Sequence, residues 1–279
     1  MGEYAGRTAV VTGAGSGLGA AMAALFAGEG ARVALLDIDG TRAEEQAATL
    51  RSAGTDAFAL AVDVADAAAL AAAAEAVRAR FGAVHVLCAN VGVQQFGAID
   101  RLTEHDWQWV MDVNFHGVVR TVNAFLPLLR AGEGTRHVVI TSSASFFQRG
   151  IRMAAYVASK YAVTGYGEVL RDELAAEGIN VSLLFPAGMM TRHIESSIAA
   201  RPETLGPSRF DQEDIRAMMA GADIDAAAHV ATAEHAVRNL LADLRDGARY
   251  VITHGNYAHQ VQANHDEVMQ AFERLAANP

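Results

Sequence analysis

Cysteine is almost missing. Cys88 stands alone among 279 residues, so no internal disulfide can form and the chain fits a reducing compartment. Lysine is equally scarce: all but one of the 22 basic residues are arginine, a drift that a GC-rich genome produces and that makes Lys160 worth attention. The basic residues are outnumbered by 32 acidic ones, and a formal net charge of −10 argues against a protein that wraps nucleic-acid phosphates. No apolar run reaches the ~20 residues of a membrane-spanning helix, although 52% of the residues are hydrophobic. With only five prolines, no stretch rich in Pro, Gly or Ser divides the chain, and residues 1–279 are read as one domain. The first strand-like run begins at Arg7, which leaves no room for a signal or transit peptide. Gly2-Glu3-Tyr4-Ala5-Gly6 lacks the Ser/Thr of a myristoylation signal. A cytoplasmic protein is expected. His229, His235, His254, His259 and His265 are not spaced as metal ligands, so no metal is expected either.

What the sequence does have is alternation. Apolar runs at Thr8 to Val11, Arg32 to Leu36, Ala57 to Val62, Val84 to Ala89, His137 to Thr141 and Ile179 to Phe185 are separated by long amphipathic stretches. Continuous apolar strands between helices are the signature of a parallel sheet covered on both faces. The expected fold is therefore α/β: a Rossmann-type, doubly wound parallel sheet of about seven strands, the last at Arg249 to Ile252. An irregular segment from Ala187 to Ala231 reads as a lid inserted after the sixth strand. An amphipathic helix is expected over Tyr257 to Ala276.

Between the first strand and helix lies Thr12-Gly13-Ala14-Gly15-Ser16-Gly17-Leu18-Gly19. A turn that must approach a pyrophosphate needs residues without Cβ, because backbone N–H groups bind it and the helix N-terminus favours negative charge. The second strand ends in Asp37. A carboxylate there accepts adenosine ribose hydroxyls and repels a 2′-phosphate. No basic residue is its neighbour in sequence, and Ser16 fills the loop position where a base would meet that phosphate, so NAD is favoured over NADP.

Tyr156-Val157-Ala158-Ser159-Lys160 opens a helical stretch, and residues four apart share a helix face. A phenol ordinarily titrates near pH 10; an adjacent ammonium favours the phenolate and draws that value towards neutrality. Ser143 follows the strand ending at Thr141, where ligands of open α/β sheets bind and where a hydroxyl can orient a substrate oxygen.

These motifs together resemble the short-chain dehydrogenase/reductase family, over about Gly6 to Thr191. The family's T-G-x-x-x-G-x-G loop matches Thr12 to Gly19, its adenine-contacting pair matches Asp63-Val64, and its N-N-A-G segment appears as Ala89-Asn90-Val91-Gly92. Its helix asparagine matches Asn114, its serine Ser143, its Y-x-x-x-K motif Tyr156 and Lys160. Its P-G-x-x-x-T segment appears as Pro186-Ala187-Gly188-Met189-Met190-Thr191. The resemblance implies Asn114, Ser143, Tyr156 and Lys160 as the catalytic set. It implies that NAD is held by Gly13, Gly15, Ser16, Gly17, Leu18, Gly19, Asp37, Asp63, Val64, Asn90, Gly92, Tyr156, Lys160, Pro186, Gly188 and Thr191. Tyr156 would take the proton from a hydroxyl as hydride leaves the carbinol, and Asn114 would position a water linking Lys160 to solvent. A homodimer or homotetramer is implied as well.

There are departures. Ala89 and Val91 remove one side-chain brace of the sheet, Ala187 replaces a glycine, and the usual Asp-Gly-Gly ending is missing. The ending present instead is similar to that of bacterial dehydrogenases acting on benzylic alcohols from lignin. Pocket walls are expected from Val93 to Phe96, from Ser145, Phe147 and Met153, and from the insertion, where Met189, Met190, Met218, Met219, Ile194, Ile198 and Phe210 suggest a hydrophobic or aromatic substrate. Arg149, Arg152, Arg192 and His193 could bind a substrate carboxylate, but each is read as solvated. The expected activity is interconversion of a secondary alcohol and a ketone. A non-catalytic NAD sensor, a dihydrodiol dehydrogenase and a ketoacyl reductase are the alternatives.

Overall fold

The computed structural model describes residues 2–207, 211–220 and 229–277. Strand–helix units follow in the expected order: β1 (Thr8–Thr12), α1 (Gly17–Gly28), β2 (Arg32–Asp37), α2 (Gly40–Ser52), β3 (Ala57–Ala61), α3 (Ala67–Phe81) and β4 (Val86–Ala89). Then come α4 (Glu104–Met111), α5 (Gly117–Ala131), β5 (Arg136–Thr141), α6 (Ala154–Ala175) and β6 (Ile179–Phe185). A small parallel pair, β7 (Gly188–Met189) and β8 (Val230–Ala231), brackets the inserted segment with α7 (His193–Ala200) and α8 (Gln212–Ala220). The chain finishes with α9 (Ala233–Val237), α10 (Leu240–Arg245), β9 (Tyr250–Ile252) and α11 (Ala258–Ala277).

Seven strands form one parallel sheet in the order β3-β2-β1-β4-β5-β6-β9. Alternation along each strand splits the core in two. Val10, Leu87, Val138, Ile140 and Leu183 enter the cluster under α3, α5 and α6. Ala9, Val11, Cys88, Val139 and Leu184 enter the cluster under α1, α9 and α10. Because the order reverses between β1 and β4, their carboxyl ends diverge and leave a crevice, the place where such sheets bind ligands.

Cys88 is buried in the second cluster, and burial pushes its thiol up, away from reactivity. Trp109 packs into the first cluster and Trp107 lies partly buried against it. No described helix is long and apolar enough to cross a membrane. Helix α11 is the exception to compact packing. It buries no residue, and Val261, Val268, Met269, Phe272 and Leu275 are all exposed along it.

The inserted segment is fastened by arginines. Arg201 donates to Gln95 Oε1 at 2.8 Å and Asp106 Oδ1 at 2.7 Å, and its guanidinium lies 5.5 Å from the Trp109 ring. Asp106 is available because the capping box at the start of α4 uses its other oxygen, with Thr103 N–H and Oγ1 donating to Oδ2. Burial alone would raise the Asp106 carboxyl; the Thr103 donors and Arg201 together hold it below its ordinary value. Both side chains of this ion pair are under a tenth exposed. Removing one partner of a buried pair costs about 3 kcal/mol, and at roughly 2–4 °C per kcal/mol for a chain of this size Arg201→Ala should lower the thermal midpoint by about 6–12 °C. Differential scanning calorimetry checks this, and a shift under about 2 °C would show that the pair contributes little.

Candidate active site

The glycine turn is shaped by contact. A Cβ on Gly19 would stand 2.0 Å from the Gly13 carbonyl oxygen, so glycine alone lets α1 cross the end of β1 this closely. Gly15 N–H donates to Asp37 Oδ2 at 2.9 Å, and Asp39 N–H donates to Asp37 Oδ1 at 2.9 Å. These bonds fix the carboxylate at the mouth of the turn. The sequence reading found no cation beside Asp37, but folding brings one. The first turn of α2 folds back over the glycine loop, putting Arg42 Cβ 3.1 Å from where a Gly15 Cβ would be, with its Nε 3.0 Å from Asp39 Oδ2.

Across the crevice, Asn90 supplies the brace that Ala89 and Val91 cannot. Its Nδ2 donates to Thr12 O at 3.2 Å and its Oδ1 accepts from Thr141 Oγ1 at 3.0 Å, tying together the ends of β1, β4 and β5. Thr191 closes the same space from the insertion, its Cγ2 lying 3.3 Å from where a Gly17 Cβ would stand. Asp63 and Val64 line the crevice near Asp37 and Ile38.

The four residues implied as catalytic converge from three elements. Ser143 ends the strand β5 region and accepts from Ser145 N–H at 3.1 Å. Tyr156 and Lys160 come from the first turns of α6, both buried. Lys160 Nζ donates to Thr141 O at 2.9 Å and lies 5.6 Å from the Tyr156 ring centroid. Asn114 sits in a wide π-type turn, Asp112–His116, that joins α4 to α5. It is fully buried behind the cleft wall, where Oδ1 accepts from Val93 N–H at 2.7 Å and Nδ2 donates to Val93 O at 2.9 Å and Ser159 Oγ at 3.0 Å. A Cβ on Gly92 would lie 3.4 Å from Lys160 Nζ and 3.7 Å from Asn114 Oδ1, so glycine keeps these two polar atoms close to the cleft floor.

The electrostatics differ from the sequence expectation. Burial raises the Tyr156 phenol above its ordinary value, and hydrogen bonds from Ser143 and Gln94 pull it back. Lys160 Nζ stands 5.6 Å from the Tyr156 ring centroid and donates to Thr141 O, and burial pushes its ammonium down to about 8.

One cleft of about 820 Å³ runs from Asp37 and Asp63 past Gly13, Ser16, Gly17 and Leu18 to Ser143, Tyr156 and Lys160. Asn90, Gly92, Pro186, Gly188 and Thr191 also line it, as do Ser145, Met153 and Met189. Gly15, Gly19 and Asn114 lie just behind the wall. Phe147 and Met190, expected in the pocket, are not: Phe147 packs on Phe185 and Tyr257, and Met190 is 68% exposed. Gln95, Phe96 and Ile198 line a neighbouring hollow instead. Phe210 lies outside the described residues, as do the side chains of Met218 and Met219.

All four residues read as solvated have partners: Arg149 donates to Asn264 Oδ1 at 3.0 Å and Arg192 pairs with Glu195 at 2.6 Å, both from exposed positions, while the other two are partly buried. His193 is half-buried in the cleft, its ring 6.4 Å from that of Tyr156, and burial with the nearby Lys160 charge pushes it down to about 4. Arg152 holds a positive φ of 63° and stands 3.5 Å from buried Asp214. Sequence reasoning also missed Tyr257, which reaches the cleft from the start of α11 and has no local motif to announce it.

Comparison with known proteins agrees with this geometry. A family model described as short chain dehydrogenase matches residues 7–202. The putative oxidoreductase SadH of Mycobacterium tuberculosis is 34% identical over 206 residues, 73% of this chain and 74% of that protein. The C alpha-dehydrogenase of a Sphingobium species is 32% identical over 215 residues, 77% of this chain and 70% of that one. A short-chain dehydrogenase/reductase from Burkholderia phymatum, crystallised with NAD, is 30% identical, covers 97% of both chains and superposes with a TM-score of 0.86. A turn built for a pyrophosphate, a cleft at the switch point and a family match over most of the chain lead to one assignment: this protein belongs to the short-chain dehydrogenase/reductase family.

Proposed function

We propose that the protein is an NAD-dependent oxidoreductase that interconverts a secondary alcohol and a ketone, with a hydrophobic or aromatic substrate. The observation that carries this reading is the convergence of Ser143, Tyr156 and Lys160 in the same cleft as Asp37 and the glycine turn. NAD, when bound, supplies the hydride acceptor. The residues present fit it: the turn offers backbone N–H groups where Gly19 tolerates no Cβ, and Asp37 offers a carboxylate already oriented by two backbone donors. Ser143 holds the substrate oxygen and stabilises developing alkoxide charge, and Tyr156 takes or returns the proton. Lys160 and Tyr156 would hold the nicotinamide ribose. Asn114 fixes the Val93 backbone and keeps one oxygen lone pair for a water beside Lys160. Val93, Trp109, Met153, Met189, Ile194 and Tyr257 give the cleft an apolar side, which favours a bulky substrate.

The whole chain is read as one domain, with segment 187–231 as the substrate lid, working in the cytoplasm. The test is NADH formation from NAD+ over a panel of aliphatic, alicyclic and aryl secondary alcohols, with NADP+ in parallel. Turnover of one class supports the reading; silence across the panel despite measurable NAD binding favours a sensor.

A homo-oligomer is part of the proposal. An amphipathic helix that buries none of its apolar residues is marginal in water, and Val261, Val268 and Leu275 recur every seven residues along α11. A second copy of the same stripe is the natural cover. Sedimentation velocity should give a dimer or tetramer, and Phe272→Asp with Leu275→Asp should shift it towards monomer. A monomeric parent chain would rule this out.

A further inference from the structure

Among the described residues, a few buried polar side-chain atoms have no hydrogen-bond partner, and one of them belongs to a residue of the cleft: Ser145 Oγ. The residue is 9% exposed. A buried hydroxyl without a partner is costly, and alanine at that position would carry no such cost. Ser145 stands on the short turn Ala144–Phe146, and its N–H donates to Ser143 Oγ at 3.1 Å, which ties the turn to the Ser143 hydroxyl. Gln94 reaches the same place from the loop after β4. Its N–H donates to Ser197 Oγ at 3.0 Å, which pins it to α7, and it lines the cleft together with Tyr156.

The carbinol oxygen needs two partners, and Ser143 with Tyr156 supplies them. Ser145 and Gln94 are then left with hydrogen-bonding capacity that a simple alcohol does not use. We propose that Ser145 and Gln94 form a second oxygen-binding subsite, and that the substrate is a secondary alcohol carrying another oxygen, as hydroxyl or ether, one or two carbons from the carbinol. This rests on the dehydrogenase reading above and names its substrate more closely. A site built to bond such an oxygen rejects the analogue that lacks it, because its own polar groups are left unpaired.

Matched pairs test it: 1-phenylpropane-1,3-diol against 1-phenylpropan-1-ol, and butane-2,3-diol against butan-2-ol. The readout is the ratio of kcat/KM within each pair, for the parent enzyme, Ser145→Ala and Gln94→Leu. The parent should favour the oxygenated member of at least one pair by about tenfold or more, and Ser145→Ala should cut that ratio by about tenfold. Gln94→Leu should lower both the ratio and the absolute rate. A parent ratio near one, or a ratio that Ser145→Ala leaves unchanged, overturns the subsite; the second result would mean that Ser145 serves a trapped water or the turn alone. Silence from every pair, in oxidation and in reduction of the matching ketones, sinks the dehydrogenase reading instead. Calorimetric titration of the same pairs into NAD-saturated protein then reads the subsite by itself, and equal affinities within each pair overturn it.

Discussion

Tyr156→Phe should lower turnover by roughly three orders of magnitude while leaving NAD affinity within about twofold, because general acid–base groups contribute about 10²–10⁴ in rate. The substitution removes one oxygen and keeps the ring that packs in the α6 wall, so binding and folding have little to lose. The surroundings of that oxygen also predict a pH profile. Burial raises the phenol, Ser143 and Gln94 lower it, and Lys160 is itself pushed down to about 8. Oxidation needs the phenolate and reduction needs the phenol. Alcohol oxidation should therefore rise steadily from pH 7 to 10, and ketone reduction should fall over the same window. Initial rates in both directions, for the parent and the variant, check this. Residual turnover in Tyr156→Phe above about a tenth of the parent would take the proton-transfer role away from Tyr156, and matching pH profiles in the two directions would do the same.

Most of the fold was legible because its signals are local. Apolar runs of strand length mark β1 to β6, and the glycines, Asp37 and the Tyr156–Lys160 spacing sit within single turns or at strand ends. What was not legible joins distant residues. Arg201 and Asp106 pair across the space between α4 and the end of α7, and nothing near either residue announces the other. Lys160 illustrates the same limit in the site. Spacing puts its ammonium on the same face as Tyr156, and it lies 5.6 Å from that ring, but its hydrogen bond to the carbonyl of Thr141, on another element, has no local signal. Phe147 and Met190 failed as pocket residues for a related reason. Composition suggests an apolar wall, while side-chain direction depends on what packs behind it, here Phe185 and Tyr257 for the phenylalanine. Ser145 is the opposite case. Its position was readable, but its lack of a partner is a property of burial and can be seen only in three dimensions.

Asp37→Ser should reverse the coenzyme preference, lowering kcat/KM with NAD+ by about 10–100-fold and raising the NADP+ to NAD+ ratio by roughly 10²–10³. Each hydrogen bond to a charged group is worth about 1.5–3 kcal/mol, and the carboxylate is placed to accept from the adenosine ribose, so its loss accounts for the fall. The rise has two sources. A 2′-phosphate no longer meets a negative charge, and Arg42 stands beside Gly15 where it can meet that phosphate. Arg42 is paired with Asp39, but both side chains are a third to a half exposed, and such a pair holds it by at most about 1 kcal/mol. Serine keeps a hydroxyl to accept from Gly15 or Asp39 N–H, so the turn should survive. The contribution of Arg42 separates cleanly. Arg42→Ala in the parent should change NAD+ kinetics little, whereas added to Asp37→Ser it should erase most of the NADP+ gain. Steady-state kinetics of the four proteins with both coenzymes decide the matter. An unchanged ratio in Asp37→Ser would mean that Asp37 serves only the turn and that coenzyme choice lies elsewhere in the cleft.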